Sequence, residues 1–501
     1  MSRSRLAAIL SIVCGLLLLA PAASQAAGAS GHIELRDGLT LLKQFGYAPD
    51  YRQHVVTFDA NNVPAIRSRG ANEDDTSFVQ RLEGGSWVRH DMLDALRTAY
   101  PDFAGTVHAG GYASDRVDFD VDGRAYTVMT IRLDDDGGFR NVLLASTDGC
   151  VTWSVLELPF GNDTPLINDH DWGNVASEHD TGRLLDGPPL IAVWRQTAPW
   201  KGQWASLNEM HVVEPVWSGD QLTLKTPVLV SDEALGMIQC SGGASFAVTS
   251  GDKSYFVYST VVPRGTVMTP TYAVTYDRAR NSIGPSVRVE GSRPANDCHD
   301  TPGICMDSTG TLHVITGAHG QPFRYSHSLT PRSTATWTRP VNVLTSGYRD
   351  GTTDADGLGK QTYLSFVCGP DDVLHVVSRQ SRRNVDTYYR GQQWDALVHQ
   401  SLSPGGTWST PDLIVVPPQA GYSQYYQKLT MDRRGRLFVS CSYFSRRDPP
   451  ATRVFRRFHH RMVLISEDGG HAWRFATTAD FVGGVLAPAA TSAAPATAPG
   501  S

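Results

Sequence analysis

Between about His54 and Phe475 the apolar residues fall in short runs rich in β-branched and aromatic side chains, parted by Gly, Asp, Asn and Pro. Runs of that length and alternation predict strands, and no stretch has the spacing of a long amphipathic helix, so the chain reads as all-β. The runs also repeat as a unit: a strand, an Asp/Gly turn, a second apolar strand, and a later strand carrying Trp or an apolar pair. Seven such units are legible by their paired strands, at His54–Arg67, Val117–Arg132, His179–Arg195, Ala244–Ser259, His299–His319, Tyr363–Arg379 and Tyr426–Ser442. One four-stranded unit cannot bury both of its faces, whereas seven set radially cover one another. The expected fold is a seven-bladed β-propeller.

Three turns support this reading. Ser146-Thr-Asp-Gly-Cys-Val-Thr-Trp153, Ser466-Glu-Asp-Gly-Gly-His-Ala-Trp473 and the degenerate Ser401-Leu-Ser-Pro-Gly-Gly-Thr-Trp408 resemble the Asp box of sialidase-type repeats. In such a hairpin the Asp and Ser satisfy backbone donors of the turn while the Trp packs between blades. The box occurs in hydrolases, lyases and lectins alike, so it speaks for the fold and leaves function to a site.

The ends of the sequence set the expected compartment. Arg3 and Arg5 precede an apolar run, Leu6 to Ala20, and small residues from Ala22 to Ala27 follow. This is the pattern of a secretory signal peptide, residues 1–26, with a mature chain starting near Ala27. The apolar run is about 15 residues, short of the roughly 20 that span a bilayer, so the expectation is a secreted or periplasmic protein with no membrane anchor. Residues 27–483 are expected to form the propeller domain, and residues 484–501, uncharged and made largely of Ala, Pro, Thr and Ser, a disordered tail. Removing Cys14 leaves six cysteines. Cys298 and Cys305 stand close enough to close a small disulfide loop, the alternative being burial as small hydrophobes. No CxxC pair occurs, so structural zinc has little support, and a structural calcium or zinc ion is left open. A net charge of −6 without like-charge blocks gives no electrostatic basis for nucleic-acid or membrane binding, and a monomer is expected.

Setting the units in register on the apolar residue after each turn, Leu312, Leu374 and Leu437, places Tyr363 and Tyr426 at the same point, eleven residues earlier. Five residues after the anchor come Gly317, Arg379 and Ser442, and Leu190 likewise leads to Arg195. Arg67, Arg132, Arg195, His319 and Arg379 then fall at or near one ring around the axis. Each Arg by itself is open to a plainer reading, a strand end paired with a local carboxylate. Together they suggest a cationic mouth that focuses an acidic ligand, a uronate or sulfated glycan.

A resemblance sharpens this. Asp297-Cys-His299-Asp-Thr-Pro-Gly-Ile-Cys-Met-Asp307 through Gly310, His313 and His319 to Pro322 and Tyr325, with Gln361-Thr-Tyr363, Gly369-Pro-Asp371 and Arg379, resembles the signature of BNR-repeat polysaccharide lyases typified by ulvan lyases. It covers about 80 residues, and lies in units five and six rather than nearer the N-terminus as is usual in that family. Leu364 and Asp372 replace the Pro and Gly common at their positions. The resemblance implies His299, His319, Tyr363 and Arg379 as catalytic residues. Arg195, Arg132, Arg67, Tyr325 and Tyr426 are the candidate substrate-binding residues.

The chemistry suits those residue types. Cleaving a 4-linked glucuronate or iduronate by β-elimination requires removal of the C5 proton, stabilisation of the carboxylate-conjugated anion and protonation of the departing O4. Arg379 can grip both carboxylate oxygens. Tyr363, near that cation, should ionise more easily than usual and so take or give a proton. His299 is the other base candidate, and His319 binds the carboxylate or shares the acid role. No added cofactor is required. The rivals are a sialidase-like hydrolase, disfavoured because no Arg-Ile-Pro occurs and the region offers His and Tyr instead of two carboxylates, and a catalytically silent propeller lectin.

Overall fold

The computed structural model describes residues 31–35, 55–69, 77–103, 116–133, 138–160, 175–202, 205–236, 243–343, 360–382, 388–389, 391–443 and 460–487. Seven antiparallel sheets, each built from four consecutive main strands, form the blades of a propeller. Blade one is Val56–Phe58, Pro64–Arg69, Ser77–Glu83 and Ser86–Asp91; blade two is Asp118–Phe119, Ala125–Arg132, Phe139–Ser146 and Ser154–Leu158. Blade three is Val175–Ser177, Ile191–Gly202, Ala205–Val213 and Val228–Leu235; blade four is Ala247–Ser250, Lys253–Ser259, Thr269–Asp277 and Val287–Ser292. Blade five is Gly303–Met306, Leu312–Thr316, Arg324–His327 and Val341–Asn342. Blade six is Lys360–Cys368, Leu374–Arg382, Trp394–Leu402 and Asp412–Val416; blade seven is Gln424–Met431, Leu437–Tyr443, His460–Ser466 and Arg474–Phe475. Six of the seven units read from the sequence contain the first two strands of a blade or the greater part of them; the third, His179–Arg195, starts after the first strand of blade three and holds the long turn and only the start of the second strand. Leu312, Leu374 and Leu437 each begin a second strand.

Both faces of a blade are covered by its neighbours, which is why second strands read as continuous apolar runs rather than alternating ones. All of Leu312–Thr316 and all of Leu437–Tyr443 is buried. Between blades six and seven, Val377, Leu397, Leu429, Leu437, Val439, Leu464 and Trp473 form one cluster, and each such side chain stabilises the fold by roughly 1.5–3 kcal/mol. The ring closes between blades seven and one, where Asn62 Nδ2 donates to Asp432 Oδ2 at 3.0 Å and Arg433 N donates to Asn62 Oδ1 at 2.7 Å. Gly484 O accepts from Asn62 Nδ2, and Leu486 N donates to Asn61 O, so the chain is still tied to blade one at residue 486. The expected signal peptide and the rest of the expected tail lie outside the described residues.

The Asp boxes form as their residues dictate. Ser146 Oγ accepts from Cys150 N, Asp148 Oδ1 accepts from Thr152 N, and Trp153 Nε1 closes onto Cys150 O; Ser466, Asp468, Gly470 and Trp473 repeat the arrangement in blade seven. Cys298 and Cys305 are both buried as free thiols, as are Cys150, Cys368 and Cys441, while Cys240 lies outside the described residues.

The turn between the first two strands of blade three is long and crosses the end of the central channel on the side of the Asp boxes. His179 N donates to Ser245 Oγ, Asp180 N to Asp118 Oδ1, and Cys368 N to Thr181 O, while Arg433 pairs with Asp180. Gly182, at φ 109°, passes so close to blade six that a Cβ there would lie 2.1 Å from Cys368 O. One end of the channel is thus bridged by protein, and His299, His319, Tyr363 and Arg379 lie toward the other. No helix among the described residues is long and apolar enough to cross a membrane.

Candidate active site

The chain entering blade five makes one 3₁₀ turn, Cys298–Asp300, capped by Asp297, whose side chain accepts from His299 N. This holds His299 beside its own cap. His319 arrives separately: His319–Gln321 leaves blade five and pairs antiparallel with the innermost edge of blade six, His319 opposite Thr362. The crossing requires Gly317, where a Cβ would meet Thr301 O at 2.5 Å. Both imidazoles then converge on one carboxylate, His299 Nδ1 at 2.6 Å from Asp297 Oδ1 and His319 Nδ1 at 2.8 Å from Asp297 Oδ2, with ring centroids 4.3 Å apart.

Burial acts to raise the Asp297 pKa, but the hydrogen bonds and charges of His299 and His319 outweigh it and hold the carboxyl well below the usual range. An ionised carboxylate only accepts, so both imidazoles carry their proton on Nδ1 and have an unprotonated Nε2 when neutral. Burial, opposed by Asp297, keeps His299 below its ordinary pKa and therefore neutral near pH 7. His319 is the more accessible of the two, its side chain 35% exposed against 8% for His299. Asp297, His299 and His319 are also the one group of ligand-type side chains among the described residues close enough to hold an ion, their ligating atoms lying within 4.8 Å of one another.

Across the same mouth, Tyr363 sits on a bulge in the first strand of blade six, where the register slips between Thr362 and Ser365. Its φ is 65°, a left-handed conformation that a bulky side chain rarely adopts, and Gln427 of blade seven donates to its carbonyl oxygen. The bulge turns the Tyr363 ring toward His299, centroids 5.9 Å apart. Arg379 lies under it with the guanidinium carbon 4.4 Å from the ring centroid. A second ring, Tyr422, covers Arg379 at 4.7 Å, and its hydroxyl meets that of Tyr363 at 3.0 Å. Burial alone would lower the Arg379 pKa, but Tyr363, Tyr422 and Asp395 raise it, so the guanidinium stays charged. Its Nη1 is buried without a hydrogen-bond partner.

The four residues assigned to catalysis are therefore gathered at the junction of blades five and six, and Tyr426 joins them with its ring 5.1 Å from that of Tyr363. The other candidate binding residues lie elsewhere. Arg67 is buried and reaches Val128 O of blade two at 3.4 Å. Arg195 pairs with Glu209 on the adjacent strand at 2.7 Å, the plainer of its two readings. Arg132 ends its strand, and its side chain is outside the described residues. Tyr325 belongs to the third strand of blade five and bonds His313 at 2.8 Å; His313 in turn reaches Asp307, at the opposite end of the blade from His299. The register of the inner strands could not have found Asp297 as the shared anchor of the histidines. Nor could it have found Tyr422, which lies between blades.

Fold and site together define a β-propeller with an Asp–His–His–Tyr–Arg cluster at one mouth. The sequence model of a family described as "BNR repeat-containing family member" matches residues 270–496, the part of the chain that carries this cluster. The BNR-repeat character read from the sequence therefore holds for that part. None of the curated proteins compared matches the chain. Among solved structures, a polysaccharide lyase of family PL25, an ulvan lyase bound to GlcA(1-4)Rha3S, is 15% identical over 45% of this chain and 53% of its own, with a TM-score of 0.32. Trypanosoma rangeli sialidase in complex with sialic acid is 12% identical over 90% of this chain and 61% of its own, at 0.36. Penicillium chrysogenum α-L-arabinanase complexed with arabinobiose is 14% identical over 71% and 95%, at 0.36. The matches span less than two thirds of the lyase and of the sialidase. These likenesses add nothing to the fold read from the sheets themselves.

Proposed function

We propose that this protein is an exported polysaccharide lyase that cleaves 4-linked glucuronate or iduronate in an acidic glycan by β-elimination, without an added cofactor. The observation that carries the reading is Arg379, a buried, permanently charged guanidinium with an unpartnered Nη1, set beneath a tyrosine and beside two carboxylate-oriented histidines. A uronate carboxylate is the ligand such a guanidinium lacks. Held there, the carboxylate would have its charge balanced as the C5 proton leaves and the adjacent carbon turns anionic.

Tyr363 as its phenolate, or the unprotonated Nε2 of His299 or His319, is able to take that proton, and the group that has taken it then carries the proton the departing O4 receives. The C5–H and C4–O4 bonds break, a C4–C5 double bond forms, and no water is consumed. A hydrolase would instead need two carboxylates facing across the bond. At this mouth Asp297 is engaged by both histidines, and buried Asp395 is held near Arg379. Incubation with a panel of acidic glycans, ulvan and rhamnosyl-glucuronate gums among them, tests the reading. The expected result is growth of the ultraviolet absorbance of an unsaturated uronate. New reducing ends without that absorbance would indicate a hydrolase, and binding without cleavage a lectin.

A further inference from the structure

Tyr422 enters no sequence signature, yet it touches both residues on which the lyase reading depends. It follows the bridge between Trp394 and Gly421, precedes the first strand of blade seven, and is 43% exposed. Its ring covers the outer face of the Arg379 guanidinium, and its hydroxyl lies 3.0 Å from the Tyr363 hydroxyl.

The direction of the bond follows from chemistry. Between two phenols either hydroxyl can donate, but a Tyr363 phenolate can only accept, so Tyr422 must then be the donor. Such a donor stabilises a phenolate more than a phenol, because the bond to the charged form is the stronger. The Arg379 guanidinium lies against both rings and favours the charged form of Tyr363.

We infer that Tyr422 is a positioning residue that donates to the Tyr363 oxygen and makes Tyr363 the proton acceptor at this mouth. The inference rests on the lyase reading for its role in turnover, but not for the hydrogen bond itself. The groups facing Tyr363 are Arg379, Tyr422, Tyr426 and His299, with His319 and Asp297 behind His299.

Tyr422→Phe keeps the ring over Arg379 and removes only the hydroxyl. Followed by near-ultraviolet tyrosinate absorbance, one phenol of the wild type, identified by its loss in Tyr363→Phe, should titrate about one pH unit higher in Tyr422→Phe. On an accepted glycan, kcat near neutral pH should fall about tenfold and recover about one unit further into alkali, with KM within about twofold. A raised KM with an unmoved pH profile would make Tyr422 a sugar platform and overturn the inference, as would an unshifted titration. Near-normal turnover by Tyr363→Phe would refute the lyase reading alone, since the titration still reports the Tyr422–Tyr363 bond.

Discussion

Tyr363 and Tyr426 stand one blade apart at the same point of the innermost strand, both in left-handed backbone, φ 65° and 39°, with their rings meeting edge to face at 5.1 Å. Both sit where the register of the first strand slips, so the two blades share one bulge. A non-glycine residue in that region costs about 1–3 kcal/mol, and such strain collects where a side chain must be aimed. Tyr363→Phe keeps the backbone and the ring. It should leave the melting temperature nearly unchanged and bound oligosaccharide detectable by calorimetry, while kcat falls roughly 10²- to 10⁴-fold. Arg379→Lys should also lose substantial activity, because lysine keeps the charge but not the planar fork. Near wild-type turnover by Tyr363→Phe would remove Tyr363 from the chemistry.

A second prediction concerns the carboxylate between the histidines. Asp297→Asn preserves shape but offers one acceptor oxygen where two were used, so one imidazole must face an amide N–H and change tautomer. Turnover should fall by at least about 10²-fold with the fold intact, and imidazole nitrogen NMR should show one ring with its proton moved to Nε2. Treatment of the wild type with a chelator should leave the rate unchanged. A chelator-sensitive rate with unchanged fold would instead assign the Asp297, His299 and His319 trio to a metal.

Much of this was legible in the sequence because propeller blades are local. Each unit carries its own turn and apolar strands, so register alone put Leu312, Leu374 and Leu437 at the head of second strands and Tyr363 and Tyr426 at one point. Register does not say what lies across the sheet or toward the next blade. Arg195 faces Glu209 on a partner strand, Arg67 points into the seam with blade two, and Tyr325 looks toward the Asp307 turn. The bulge at Tyr363 breaks the two-residue alternation by which a side chain's face is read. His319 reaches the site by crossing to blade six, a pairing between non-consecutive strands that strand spacing alone does not encode.

Acid should unfold the protein partly through a histidine pair remote from the site. His375 Nδ1 and His399 Nε2, on the second and third strands of blade six, bond at 3.0 Å, which requires one of the two nitrogens to be unprotonated, so the rings cannot both be charged while the bond stands. Burial pushes His375 down to about 4 and His399 well below its ordinary 6.5. In the unfolded chain these rings gain protons near pH 6.5 that the folded protein refuses, so stability is lost as pH falls from there toward 4. The loss is at most about 3 kcal/mol for His375. His299, His313 and His327, also held low by burial, act in the same direction. Urea unfolding across this range should show a shallower acid slope for a His375→Gln, His399→Gln double variant than for the wild type. An unchanged slope would mean the pair is already charged in the fold.

The opposite sign is expected at Asp300. It follows His299 in the 3₁₀ turn, is fully buried, and neither carboxyl oxygen has a hydrogen-bond partner. Burial raises its pKa well above the ordinary 3.8, and the nearby charge of Asp297 adds to the effect. The folded protein therefore holds a proton that the unfolded chain releases above pH about 4, so stability is full in acid and declines as pH rises. Each unit of raised pKa is worth about 1.4 kcal/mol once the pH has passed it. Asp300→Asn replaces the protonated acid by a neutral group of the same shape and removes that slope. Its unfolding free energy in urea should match the wild type near pH 4 and exceed it by about 1 kcal/mol or more at pH 8. Destabilisation of the variant at both pH values would mean that the carboxylate is ionised and satisfied in the fold, against the placement of its oxygens.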